Sequence, residues 1–212
     1  MKIKHYTCFT DSHKIFLKYF LNTFPFNSDI DLSIRYMPQE SETGDFETPG
    51  FAETMYEKVK LVIDCFQPDT DIFIYSDADV VFFDNYKDAI IEEMGDADMI
   101  FQSDVGTICM GFFACRVSEE AKRFFIDVKN EMHNFKHDQL AAIDLLSTGN
   151  YNLKTKLFSR RFFNFGMLGR TYMGEDNVTF PDDMIMLHAN FTETIKNKKK
   201  MIQLALKQYN MD

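Results

Sequence analysis

Ile72-Phe73-Ile74-Tyr75 is an unbroken run of large apolar side chains. Successive residues of a strand point to opposite faces, so a run like this fits only a strand that is covered on both sides. A sheet with one wet face would show alternation instead, which leaves a sheet sandwiched between layers of helix. The flanking sequence supplies those layers. Residues 2–10 read as a first strand, and Asp11 or Ser12 caps a helix with Ile15, Phe16, Tyr19, Phe20 and Phe24 on one face. A second strand near 31–37 stops at Pro38, and the acidic, aperiodic stretch Gln39–Pro49 reads as a mobile loop. Phe51, Met55, Val59, Ile63 and Phe66 then recur at helical spacing. A helix near 85–94 and a strand at 98–103 come next, followed by a strand over Cys109–Arg116 interrupted at Gly111. Ser118 with Glu119 and Glu120 opens another helix, with Ala121, Phe124, Phe125, Val128, Met132 and Phe135 as its stripe. Residues 138–147 are helical, 151–187 hold short strand-like pieces, and 191 to about 209 is a helix with a basic run. With no repeat and no linker, the expectation is one α/β domain over 1–212.

Charge narrows what such a domain can bind. The 212 residues carry 23 Lys+Arg against 33 Asp+Glu, a formal net charge of −10. This excludes a protein that tracks a nucleic-acid backbone, which needs basic charge to displace counterions, and one held on anionic lipid by charge alone. An anionic substrate then needs a cation as intermediary. The four cysteines, Cys8, Cys65, Cys109 and Cys115, show no metal-ligand or disulfide spacing, and three lie in apolar runs, so they read as small hydrophobes in a reducing compartment. No apolar stretch approaches the roughly 18 residues of a membrane span. The expected location is therefore cytoplasmic and soluble.

Directly after the apolar strand come Asp77 and Asp79, with Val80-Val81-Phe82-Phe83 beyond them. D-x-D occurs four times, at 29–31, 69–71, 77–79 and 96–98, so the pattern alone has little force. Only 77–79 lies between two apolar runs, where unpaired carboxylates cost several kcal/mol unless a cation or hydrogen bonds offset them. The pair projects from the C-terminal edge of the sheet, where open α/β folds bind ligands. Hard oxygen ligands suit Mg²⁺ or Mn²⁺, which complete their shells with phosphate and water. The other three matches read as solvated turn carboxylates.

At this point the chain resembles the GT-A fold nucleotide-sugar glycosyltransferases, over about residues 5 to 207. Asp77-Ala78-Asp79 is similar to that family's metal-holding D-x-D. Cys109-Met110-Gly111-Phe112 resembles its N-T-G-F strand, with Cys and Met replacing the usual polar pair. His137-Asp138-Gln139-Leu140 resembles its D-Q motif, and Leu187-His188-Ala189-Asn190 with Lys196 resembles its late H-x-N…K element. The resemblance implies a GT-A, Rossmann-like, mostly parallel sheet, with a nucleotide-sugar half over about 1–105 and an acceptor and metal-completing half over about 106–212. It implies Mn²⁺ or Mg²⁺ held by Asp77, Asp79 and His188, and a nucleoside-diphosphate sugar, most naturally a UDP-sugar, as donor. Thr7, Phe9 and Thr10 fall where the family places base and ribose. Lys60 and Lys196 are candidates for nucleotide and diphosphate contacts, and Asp77 for a ribose contact. Asp138 is the candidate general base toward a glycan or glycoprotein acceptor, and Asp104, closing the strand 98–103, is a second candidate. The compact form is similar to soluble glycosyltransferases of chlorella and other large algal viruses, which would make a viral coat glycoprotein a possible acceptor and a further domain or partner protein an aid in holding it.

Each residue also has an ordinary reading. Lys60 and Lys196 fit a solvated helix face, Asp138 fits a helix start, and the 23 Phe fit core packing. Two other function classes stay open. Asp77-Ala78-Asp79 after an apolar strand is also similar to the nucleophile motif of haloacid-dehalogenase-type phosphatases, with Asp182-Asp183 as the late acidic pair. A non-catalytic nucleotide-sugar or glycan-binding domain would keep the same metal residues.

Overall fold

The computed structural model describes residues 1–26, 29–45, 48–135 and 137–211. Positions 46 and 47 of the acidic loop lie outside the described residues. A six-stranded sheet has the order β2-β1-β3-β6-β5-β7. Its strands are β1 (Ile3–Phe9), β2 (Asp31–Tyr36), β3 (Ile72–Asp77), β5 (Met99–Asp104), β6 (Thr107–Arg116) and β7 (Thr155–Leu157). β1 pairs in parallel with β2 and β3, and β5 with β7, while β6 runs antiparallel between β3 and β5. The sheet is thus mixed and mostly parallel, as the GT-A resemblance implied.

Alternation along the strands divides the core. Tyr6, Phe73, Tyr75, Phe101 and Phe113 face α2 (Phe51–Asp64), α4 (Glu119–Glu131) and α5 (Asp138–Ser147) through Val59, Val62, Phe124, Phe125 and Ala141. The opposite residues, Ile72, Ile74, Ile100 and Phe112, meet α1 (Lys14–Thr23) and α3 (Tyr86–Met94) through Phe20, Tyr86 and Ile90. The Ile72–Tyr75 run is fully buried, which is the two-sided cover its composition demanded. Burying side chains of this size contributes about 1.5–3 kcal/mol each. All four cysteines are buried and unpaired.

A smaller sheet, ordered β4-β9-β8, joins β4 (Val80–Phe82), β8 (Phe162–Asn164) and β9 (Met186–His188). It is covered by α6 (Ile195–Gln208) through Met201, Ile202 and Ala205 packing near Val81 and Leu187. Two local expectations, the cap of α1 and the start of α6, differ from what forms. The cap of α1 is His13, not Asp11 or Ser12: the Tyr36 hydroxyl donates to the Asp11 carboxylate, and Ser12 Oγ bonds His13 Nδ1 at 2.9 Å. β6 runs through Gly111 as one strand, but its pairing with β5 skips from Phe113 to Cys109, so the interruption expected at Gly111 takes the form of a break in the ladder. α6 starts at Ile195 and not near 191, capped by Thr194, whose side chain accepts from Asn197 N. No helix among the described residues is long and apolar enough to cross a membrane.

Candidate active site

The parallel strands β1, β3 and β5 end on one side of the sheet, and a cavity of about 580 Å³ opens there. Phe9 and Thr10 line it from the end of β1, Asp77 from β3, and Asp104 from β5. Lys58 reaches it from α2, His137, Asp138 and Gln139 from the start of α5, and Lys198 from α6.

The small sheet assembles the centre of the site. β4 and β9 pair antiparallel with Val80 opposite His188, so the residue before Val80 and the end of β9 meet. Ala189 N donates to Asp79 O at 2.9 Å and fixes that junction. One ligand atom from each of Asp77, Asp79 and His188 falls within 4.8 Å of the others. His188 Nε2 lies 3.4 Å from Asp79 Oδ1 and 3.9 Å from Asp77 Oδ2. Gln102 fixes the imidazole. Its amide nitrogen donates to the Phe162 and Phe163 carbonyls at 3.1 and 2.9 Å, which leaves Oε1 to accept from His188 Nδ1 at 2.8 Å. The Nδ1 proton is thereby placed, and Nε2 is the nitrogen turned toward the carboxylates, a ligand atom for a cation once its proton is given up. Gly111 supplies the room: a Cβ there would sit 2.3 Å from His188 Cε1 and 2.7 Å from Asp77 Oδ2.

The donor set fits Mn²⁺ or Mg²⁺. Asp79 is 1% exposed, and its Oδ1 has no hydrogen-bond partner although it faces the cluster. A buried carboxylate oxygen left in this way is costly, and a cation satisfies it. Burial opposes charge on Asp79, but Lys198, at 2.6 Å, and His188 outweigh it and hold the carboxyl well below the usual range. Asp77 is raised, by burial first, against the pull of Lys58 and His188. Burial likewise disfavours a charged His188, yet Asp79 prevails and lifts it to about 10. The other three D-x-D pairs are surface groups: Asp69 pairs with Lys2 and Lys4, Asp96 with Lys154, and Asp29 with Lys87.

Other expected residues are placed as follows. Thr7 is buried one residue below the cavity and does not line it. Lys60 is exposed and paired with Glu57 at 2.8 Å, off the cavity. Two residues turn a helix by about 200°, so the cavity-facing lysine of α2 is Lys58. It is 4% exposed and lies 2.9 Å from Asp138 Oδ2 and 3.7 Å from Asp77 Oδ1. Lys196 is exposed and outside the cavity, whereas Lys198 enters it. Asp138 is 3% exposed and forms the first residue of α5, with His137 as the cap. Asp104 is half-buried and accepts from the Gln139 side-chain amide; burial raises its carboxyl, which that hydrogen bond opposes. Lys58 is not legible as a site residue in the sequence, because a charged residue beside an apolar stripe reads as solvated. Its register with Thr54 and Val62, also buried, is the signal that was there.

Asp182 and Asp183 are exposed and outside the cavity, so the acidic pair of the phosphatase alternative is not assembled. Comparison with known proteins gives the same answer. Among solved structures, a glycosyltransferase involved in the glycosylation of the major capsid of PBCV-1 superposes with a TM-score of 0.65 at 13% identity, covering 96% of this chain and 100% of its own. The galactosyltransferase LgtC, in complex with donor and acceptor sugar analogues, gives 0.54 at 14% identity, covering 87% of this chain and 86% of its own. At these identities the likeness shows the shared GT-A fold. No curated protein matches the chain. The family model for nucleotide-diphospho-sugar transferases matches residues 22–204. That span holds both carboxylates, the histidine and the whole small sheet that joins them, and on it the chain belongs to the nucleotide-diphospho-sugar transferase family and is a glycosyltransferase.

Proposed function

We propose that residues 1–212 form one catalytic domain that transfers a sugar from a UDP-sugar to a hydroxyl of a glycan or glycoprotein, in a reaction dependent on Mn²⁺ or Mg²⁺. The observation that carries this is the convergence of Asp77, Asp79 and His188 on one point of the cavity, with Asp79 Oδ1 lacking a hydrogen bond. Those three residues would hold the ion, which when bound offsets the negative charge that develops on the diphosphate leaving group. For a chain of net charge −10 this answers the need for a cation.

The chain's own residues divide the remaining work. Phe9 and Thr10 at the end of β1 take the base and ribose end of the cavity. Lys198, rather than Lys196, meets the diphosphate as a point charge. Lys58 neutralises Asp138 and fixes it in place, so Asp138 orients the donor sugar by accepting from its hydroxyls. Asp104, half-buried on the same cavity and with its carboxyl raised by burial, is the better general base. As the bond between the sugar's anomeric carbon and the phosphate oxygen breaks, its electron pair leaves with the diphosphate. The acceptor oxygen bonds to that carbon, and its proton passes to Asp104. The likeness to a glycosyltransferase involved in the glycosylation of a viral major capsid makes a coat glycoprotein the first acceptor to try.

A panel of UDP-, GDP- and dTDP-sugars, scored for release of nucleoside diphosphate with Mn²⁺, Mg²⁺ or chelator, tests this reading. Metal-dependent release from a UDP-sugar, lost in Asp79→Ala and His188→Ala, is expected. Metal-independent release, or undiminished release in both variants, would overturn it.

A further inference from the structure

A second cavity, of about 420 Å³, lies behind the β5–β6 turn. Asp104 lines the first cavity, while Ser103, Val105 and Gly106 line the second, so this turn is the partition between them. The partition is strained in an uncommon way. Among the described residues four non-glycines have positive φ: Asp29, Val105, Phe191 and Asn210. Asp and Asn tolerate the left-handed region; a β-branched or aromatic residue does not adopt it without cost. Val105, at φ +46°, and Phe191, at φ +52°, both stand at this boundary. Phe191 lines the first cavity and packs on Gly166, which lines the second; a Cβ on Gly166 would lie 2.3 Å from the Phe191 ring. Val105 is 64% exposed, so no core packing accounts for a valine there. Strain of this kind persists where the surroundings enforce it and often marks a ligand-binding surface.

We propose that the second cavity is an acceptor subsite, holding the sugar next to the one that is glycosylated. This rests on the transferase reading of the first cavity. An acceptor whose reacting hydroxyl reaches Asp104 has its following residue directed over the Val105-Gly106 turn. The lining matches a neutral sugar: Val105 and Met167 offer an apolar surface for a ring face, and Ser103 and Arg160 offer polar groups for its hydroxyls. Among the described lining residues there is no carboxylate, and the Arg160 guanidinium is engaged only loosely, 3.9 Å from Asp183.

The test uses methyl glycosides of glucose, galactose and mannose as acceptors, beside disaccharides ending in the same sugars, with the active UDP-sugar and Mn²⁺. For the sugar that serves, the disaccharide should be used roughly tenfold better in kcat/KM. Arg160→Ala and Val105→Gly should remove that advantage while leaving monosaccharide transfer and acceptor-free donor hydrolysis unchanged. Val105→Gly should also keep or raise Tm, since glycine accepts the turn's φ without strain, a result that a purely structural valine would not combine with lost acceptor preference. Methyl resonances of Val105 and Met167, followed during titration with the same disaccharides, report occupancy whether or not turnover occurs. Equal use of mono- and disaccharide, equal losses on both in the variants, or unmoved methyl resonances would overturn the subsite. Absence of donor turnover alongside shifted resonances would instead count against the transferase assignment of the first cavity.

Discussion

Replacing Gly111 with alanine adds one methyl group and removes no ligand, which makes it a sharp probe of the proposed metal centre. The new Cβ would stand 2.3 Å from His188 Cε1 and 2.7 Å from Asp77 Oδ2, both closer than carbon atoms and oxygens approach without moving. Neither neighbour moves freely. His188 is tied through Nδ1 to Gln102, which is itself held by two backbone carbonyls, and Asp77 ends a strand buried between two helical layers. The methyl therefore pushes the imidazole and one carboxylate away from their common point. Overpacking of this kind costs about 1–3 kcal/mol, set against a gain of about 0.4–1 kcal/mol from a less flexible unfolded chain. A net loss of about 1–2 kcal/mol lowers Tm by about 2–8 °C in a chain of this length. Displaced ligands should weaken metal binding by about 10–100-fold, the scale seen when groups that orient ligands are lost. Mn²⁺ titration followed by electron paramagnetic resonance, beside a thermal melt with chelator, measures the two effects separately. A Gly111→Ala protein that melts a few degrees lower yet binds Mn²⁺ with unchanged affinity would refute the placement of the ion between Asp77 and His188.

Further outcomes follow from the same geometry. Gln102→Leu should cut Mn²⁺ affinity by about 10–100-fold, because His188 loses the acceptor that places its Nδ1 proton; unchanged affinity by calorimetry would show that the tautomer is set elsewhere. Lys58→Met leaves Asp138 and Asp77 without their shared cation and should cost about 3–5 kcal/mol in urea denaturation, with Lys58→Arg losing less. A Lys58→Met/Asp138→Leu pair should lose less than the sum of the single changes, and strict additivity would contradict the coupling. Metal-free protein should lose stability as pH rises from about 6.5 to about 10, since folding raises the His188 pKa and its contribution is complete only below the unfolded value. Denaturation midpoints at intervals across that range should show the slope, and His188→Asn should flatten it; a slope kept in that variant would place the proton on another group.

How much was legible depended on which force wrote the signal. Two-sided burial left the Ile72–Tyr75 run, so the central strand and the layered sheet could be read directly. Asp77 and Asp79 stood out because charge directly after such a strand needs an explanation. Cap chemistry was clear at Ser118, whose side chain accepts from Ala121 N. It misled at Asp11 and Ser12, whose side chains form bonds beyond α1's own backbone, to Tyr36 and His13. The lysines were least legible. Lys58 and Lys60, like Lys196 and Lys198, are two positions apart and chemically identical, and only the rotation of each helix about its axis separates the one that enters the cavity from the solvated one. Helix rotation is fixed by packing across the whole domain, and for α6 it depended on a start four residues later than periodicity implied. Gln102 carried no signal at all, because its role exists only once β5, β8 and β9 are brought together.

The central claim is that one cation, held by Asp77, Asp79 and His188, joins this acidic chain to a nucleoside diphosphate. Calorimetric titration of UDP into the protein with Mn²⁺, with chelator, and into the Asp79→Ala variant with Mn²⁺ tests it most directly. The account predicts binding in the first case and a loss of more than about 100-fold in the other two, beyond what an orienting group alone would cause. UDP binding of equal strength in all three would contradict it.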